Sequence, residues 1–234
     1  MKNKLWAFGD SFTEGHGCVN KSPTTLEYRN FLNKKDGDNI LIYSELVANE
    51  FGLELVNTAM GGNSNETILD MLYKNIANIS KDDYVILGIS FFNRYDFVIN
   101  KKINTIVLNN MQNTDTFNQM LLENNLSKNT IEQILVNRYN VIFKERLIIK
   151  LNAIKLLLLN YCKNVCMWTV DDILLEGNND IFFLPNGFKQ FNQFLPYHDI
   201  NFETNCLIKD HHFGENGHKI FGDGIIKYFK SIEV

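Results

Sequence analysis

Four short β-rich apolar runs, separated by segments of helical period, constrain the fold of this chain more than any other feature. Leu5-Trp6-Ala7-Phe8, Leu53 to Asn57, Tyr84 to Ile89 and Val165 to Val170 each read as a strand. The run Tyr84-Val85-Ile86-Leu87-Gly88-Ile89 is the strongest, because continuous Val, Ile and Leu fit a strand buried on both faces. Apolar residues at helical spacing fill the intervals, over residues 40–51, from Asn63 to about Ile79 and from about Thr130 to Tyr161. A last helix runs from about Glu215 to Phe229. Gly52 is placed to stop the first of these helices, and Asn63, three residues before Glu66, is placed to start the second as in a capping box. Alternating strands and helices predict a parallel sheet with helices on both faces, an α/β fold of three layers.

The chain has 234 residues, the size of one α/β domain. Hydrophobic residues at 45% and charged residues at 21% exclude intrinsic disorder. A formal net charge of −4 argues against a nucleic-acid-binding domain, which would carry a basic footprint. The 33 asparagines are a compositional bias rather than a chemical signal. Cys18, Cys162, Cys166 and Cys206 are too few for a disulfide framework and lack the spacing of a zinc site, so reduced, partly buried thiols are expected. The apolar start of the chain ends at Gly9-Asp10, short of a signal peptide, and Lys150, Asn152 and Lys155 interrupt the richest apolar stretch. No membrane span and a cytoplasmic location are therefore expected. Residues 97–129 loosen into Asn-rich polar sequence, read as an insertion or cap on a single domain. Residues 176–209 read as a long loop rich in aromatics, including Phe182, Phe183, Phe188, Phe191, Phe194 and Tyr197, which would wall a pocket or pack in the core.

Chemistry concentrates at the two ends. Gly9-Asp10-Ser11 follows the first strand, and ligands in open α/β sheets sit beyond the carboxyl ends of the strands. Ser11 there is either a nucleophile or a helix cap. Near the other end, Asp210 stands two residues before His212, with Gly217-His218 just beyond. A serine hydroxyl becomes nucleophilic when a histidine takes its proton, and that histidine needs an acid to fix its tautomer. His211 is the rival base, and Asp210 as a helix cap is the structural alternative.

These blocks resemble the SGNH hydrolases, the GDSL family of esterases and lipases. Gly9-Asp10-Ser11 is similar to the family's first block, Asn57 to Ser64 to its second, and Asp210, His212, Gly217 and His218 to its last. The resemblance implies a flavodoxin-like parallel sheet within the α/β/α sandwich, with Ser11 as nucleophile, His212 as base and Asp210 as orienting acid. It further implies an oxyanion hole from the Ser11 and Gly62 backbone N–H groups, with Asp10 supporting the nucleophile turn. The third block departs from the family, where Gly-x-Asn follows the third strand. Ser90 occupies the asparagine position, and Asn93 comes three residues later in Gly88-Ile89-Ser90-Phe91-Phe92-Asn93-Arg94. Asn93 is the first candidate for the third oxyanion donor and Ser90 the second, with Arg94 pairing with Asp96 if the segment only closes a turn.

The function this implies is hydrolysis of a carboxylic ester through an acyl-enzyme, on O-acetyl groups of a carbohydrate or on short acyl esters. The alternatives are an acyltransferase on the same fold and a catalytically silent glycan-binding module. No metal or organic cofactor is implied: the glycines at 9, 15 and 17 lack the lysine of a phosphate loop, and Asp171-Asp172, after the Val165 to Val170 strand, either line the crevice or read as a solvated loop rather than a metal pair. The partner expected is a small-molecule or carbohydrate ester, with no nucleic acid; the sequence leaves the oligomeric state open.

Overall fold

The structure is a computed structural model that describes residues 2–15, 41–92, 94–99, 102–107, 141–175, 181–183, 198–201, 207–210, 212–213 and 215–232, with isolated positions between 118 and 129. Four strands, β1 (Lys4–Phe8), β2 (Glu54–Asn57), β3 (Tyr84–Ile89) and β6 (Asn164–Thr169), form one sheet in the order β2-β1-β3-β6. Every pairing in it is parallel, with Trp6 opposite Val56 on one side and Val85 on the other, and Val85 opposite Val165. Parallel neighbours require crossovers, which α2 (Tyr43–Glu50), α3 (Asn65–Asn75) and α4 (Val141–Tyr161) supply. Because the order reverses at β1 and crossovers are right-handed, α2 lies on one face and α3 and α4 on the other. The one-turn α5 (Asp172–Leu175) follows β6, and the terminal helix α6 (Glu215–Ile232) packs beside α2, completing the three layers. The fold is α/β with a flavodoxin-like sheet.

All six residues of β3 are buried, as are Leu5 to Phe8 of β1. A buried carboxylate pins the edge where β1 and β3 begin. Asp83 accepts from the Lys4 N–H at 2.8 Å, the Trp6 indole N–H at 3.0 Å and the Ser80 N–H at 2.9 Å. Between α2, α6 and the sheet, Tyr43, Trp168, Phe213 and Phe221 are almost fully buried; Tyr43, Trp168 and Phe221 meet edge to face, with Trp168 and Phe221 centroids 4.7 Å apart, and Phe213 stacks on Trp168. Each such side chain contributes roughly 1.5–3 kcal/mol by leaving water. Cys162 and Cys166 are free thiols and fully rather than partly buried, since both lie against the sheet. Burial pushes the Cys162 thiol up to about 11 and that of Cys166 higher still.

Several local expectations are corrected. Ser64, not Asn63, caps α3: its Oγ accepts from the Thr67 N–H at 3.2 Å, while the Asn63 amide donates to the Gly9 carbonyl. The Asn-rich region opens with a β-hairpin, β4 (Arg94–Ile99) paired antiparallel with β5 (Lys102–Val107). The long aromatic loop contains a second antiparallel pair, β7 (His198–Asn201) with β8 (Leu207–Asp210), and Phe182 takes the core-packing alternative, buried in the core. Phe188, Phe191, Phe194, Tyr197 and the helical expectation for 130–140 lie outside the described residues. Among the described residues, no helix is long and apolar enough to cross a membrane.

Candidate active site

The candidate residues gather beyond the carboxyl ends of β1, β2 and β3, where ligands of open α/β sheets sit. Beyond β1 the chain turns directly into the one-turn helix α1 (Ser11–Glu14). Asp10 is its N-cap: the carboxylate accepts from the Phe12 N–H at 3.1 Å, and the Asp10 carbonyl accepts from the Thr13 and Glu14 N–H groups at 3.1 and 2.9 Å. The capping role considered for Ser11 therefore belongs to Asp10. Ser11 becomes the first helical residue, a position whose own N–H has no intrahelical acceptor. This tight turn needs glycines around it. A Cβ on Gly9 would lie 2.1 Å from Thr13 Oγ1, and one on Gly88 would lie 2.6 Å from the same atom.

The Ser11 hydroxyl lies 2.9 Å from His212 Nε2, bringing together residues 201 apart in sequence. His212 is half-buried and its ring packs against Phe12, with centroids 5.0 Å apart. The next residue, Phe213, anchors this segment: it is fully buried against Phe12, Trp168 and Phe221. Asp210 ends β8, where it is paired with His198, two residues before His212; its side chain, like Asn93 and His211, lies outside the described residues.

After β2, Met60 to Asn63 form a turn closed by the Asn63 N–H on the Met60 carbonyl at 3.2 Å. Gly62, with φ +84°, takes the third position, where a type II turn calls for glycine. Gly62 is exposed at the crevice edge. The shoulders of this turn hang on the Gly9 carbonyl, through the Met60 N–H and the Asn63 side-chain amide, both at 3.3 Å. Its tip is tied to α1, the Gly61 N–H donating to Glu14 Oε2 at 2.7 Å. Burial pushes the Glu14 carboxyl above its usual range; the Gly61 N–H and His212 pull it down, and the charge of Asp10 adds to the rise.

Ser90 lies on the opposite side of Asp10 from the helix. Its hydroxyl donates to Asp10 Oδ2 at 2.6 Å, and its N–H donates to Asn65 Oδ1 at 2.8 Å. Arg94 reaches the same carboxylate: Nη1 is 3.0 Å from Asp10 Oδ2 and 3.3 Å from the Asn63 carbonyl. This replaces the Asp96 pairing considered from sequence, and Asp96 Oδ2 accepts instead from the Ser64 and Thr67 hydroxyls. Arg94 thus joins three loops with one guanidinium. Asp171, expected in a solvated loop, is buried, because its carboxylate holds the Phe92 N–H at 2.8 Å.

Sequence reasoning passed over Glu14 and Asn65, and named Arg94 and Asp171 without their partners Asp10 and the Phe92 N–H. Glu14 stands three residues after Ser11, a spacing that puts both on one face of a helix. The other three act through partners 25 to 84 residues away, for which no local signal exists.

His218, on the first turns of α6, is fully buried and its Nδ1 accepts from the Tyr43 N–H at 3.3 Å. Ile42 at the N-cap of α2 has no side-chain oxygen, so His218 satisfies one of the open amides there. Burial, reinforced by His212, pulls the His218 imidazole down to about 3, so it is neutral and structural.

No family model and no curated protein matches the chain. Among solved structures it is similar to a protein assigned to the lipolytic G-D-S-L family from Desulfitobacterium hafniense DCB-2, at 13% identity and TM-score 0.36, over 96% of this chain and 98% of that one. It is also similar to a carbohydrate esterase described as having divergent catalytic and non-catalytic binding functions in its active site, at 14% identity and TM-score 0.41, over 97% of this chain and 68% of that one. At these levels the likenesses carry no weight for function, which rests on the site itself.

Proposed function

We propose that this chain is a serine ester hydrolase acting through an acyl-enzyme, with O-acetylated carbohydrate or short acyl esters as substrate. The observation that carries the reading is the 2.9 Å contact between Ser11 Oγ and His212 Nε2, within the range of a working nucleophile–base pair. In this reading Ser11 Oγ attacks the ester carbonyl while His212 Nε2 takes its proton, and a tetrahedral oxyanion forms. The Ser11 and Gly62 backbone N–H groups, with Asn93 as third donor, stabilise that oxyanion. Loss of one such donor costs roughly 10²–10³ in kcat. The C–O bond to the alcohol then breaks and His212 protonates the departing oxygen. Water, deprotonated by His212, releases the acid and restores Ser11. Asp210 orients His212. Ser90 is assigned to the supporting shell, since its hydroxyl is already engaged by Asp10.

A fluorophosphonate probe followed by intact mass tests the assignment. One adduct on the peptide holding Ser11, absent from Ser11→Ala and strongly slowed in His212→Ala, is the expected result. Folded protein that takes no adduct would overturn the enzyme reading and favour a binding module.

A further inference from the structure

We infer that Glu14 is a positioning residue for the oxyanion turn, tying the Gly61–Gly62 tip to the helix that carries the nucleophile. The inference rests on the serine-esterase reading above. An oxyanion hole built from two backbone N–H groups on different loops works only if the gap between the loops is fixed. Displacement of about 1 Å can cost roughly 100-fold. One loop is the α1 turn, held by Asp10. The other is a Gly-Gly tip with little to hold it. Both glycines are exposed, and a Cβ placed on Gly62 would find nothing within 4 Å. The shoulders of the turn are bonded to the Gly9 carbonyl, but at the tip the described tie is the 2.7 Å bond from Gly61 N–H to Glu14 Oε2.

Glu14 suits the task because it shares α1 with Ser11. Three residues apart, the two side chains leave the same face of one helical turn, so whatever fixes Ser11 also fixes Glu14. The helix ends immediately after, at Gly15 in the left-handed region with φ +95°, its N–H closing on the Ser11 carbonyl at 3.1 Å. The carboxylate is thus presented from a short rigid unit rather than a mobile arm. The Gly61 N–H also partly neutralises a negative charge that would otherwise oppose an oxyanion forming nearby.

The test measures the second-order rate of fluorophosphonate labelling in full-length wild type, Glu14→Gln and Glu14→Ala, each first checked for a cooperative thermal transition. The phosphoryl oxygen of the probe must enter the oxyanion hole, so labelling reports the geometry of the hole. Glu14→Ala is expected to label roughly 10–100-fold more slowly. Glu14→Gln is expected to stay within about threefold of wild type, because its amide oxygen still accepts from the Gly61 N–H. With p-nitrophenyl acetate, Glu14→Ala is expected to lower kcat while KM stays within about twofold, the mark of a contact that matters in the transition state. A Glu14→Ala protein labelled as fast as wild type, or a Glu14→Gln protein as slow as Glu14→Ala, overturns the inference alone. A wild type that takes no adduct overturns it together with the esterase reading.

Discussion

Removing the charge of Arg94 should unsettle the site more than any other single change outside the reacting groups. The Arg94 and Asp10 side chains are 12% and 4% exposed, and their atoms approach to 3.0 Å. Breaking a buried ion pair by deleting one partner costs about 3–5 kcal/mol, since the other charge stays buried without compensation. In Arg94→Met the Asp10 carboxylate retains the Ser90 hydroxyl and the Phe12 N–H, so the lower end, about 3 kcal/mol, is expected. For a domain of this length that corresponds to a fall in Tm of roughly 6–12 °C. Asp10→Asn alone leaves Arg94 as the uncompensated charge, while asparagine still caps α1. The double variant should therefore lose less than the two single losses combined, by a coupling energy of about 2 kcal/mol. Urea unfolding of the four proteins at pH 7, with equal m-values, gives the cycle. A loss below about 1 kcal/mol in Arg94→Met, or strict additivity in the double variant, would refute the claim that this pair braces the crevice.

Two further outcomes are expected. An unfolded histidine takes up a proton near 6.5, whereas folded His218 stays neutral down to about 3; the unfolded state therefore binds the extra proton between those values, and stability is lost as the pH is lowered through that window. His218→Asn should flatten urea-derived stability between pH 3.5 and 6.5 by up to about 1.4 kcal/mol per pH unit relative to wild type, and parallel slopes would show the imidazole is not held neutral. Gly88→Ala places a methyl 2.6 Å from Thr13 Oγ1 and 3.0 Å from the Trp168 ring, so a loss of about 1–3 kcal/mol is expected by thermal or urea denaturation, and an unchanged midpoint would mean the Thr13 turn yields freely.

The parallel sheet was legible because its strands carry their own signal. Val85, Ile86 and Val165 sit in unbroken apolar runs, the pattern left when both faces of a strand are covered. The 2.9 Å approach of Ser11 and His212 was anticipated from the Gly-Asp-Ser and Asp-x-His blocks and their resemblance to the SGNH hydrolases, with His211 kept as the rival. Hidden from the sequence were choices settled by distant groups. Asn63 and Ser64 are both good caps, and the Gly9 carbonyl decides between them by drawing the Asn63 amide to itself. The hairpin from Arg94 to Val107 was masked by its asparagine, lysine and threonine content, which weakens strand propensity without forbidding pairing. Glu14 was within reach of helical spacing arguments, but its partner, a glycine amide 47 residues on, was not.

The 201-residue separation of Ser11 and His212 also sets a clock on synthesis. A ribosome adding 5–20 residues per second needs roughly 10–40 s to travel from the serine codon to that of the histidine. On the esterase reading, the Ser11 hydroxyl has no histidine to take its proton during that interval. The contact between Ser11 and His212 forms only when Phe213 enters the aromatic core and brings His212 to its place. On the same reading, a nascent or clipped chain that stops before His212 takes no fluorophosphonate label at Ser11.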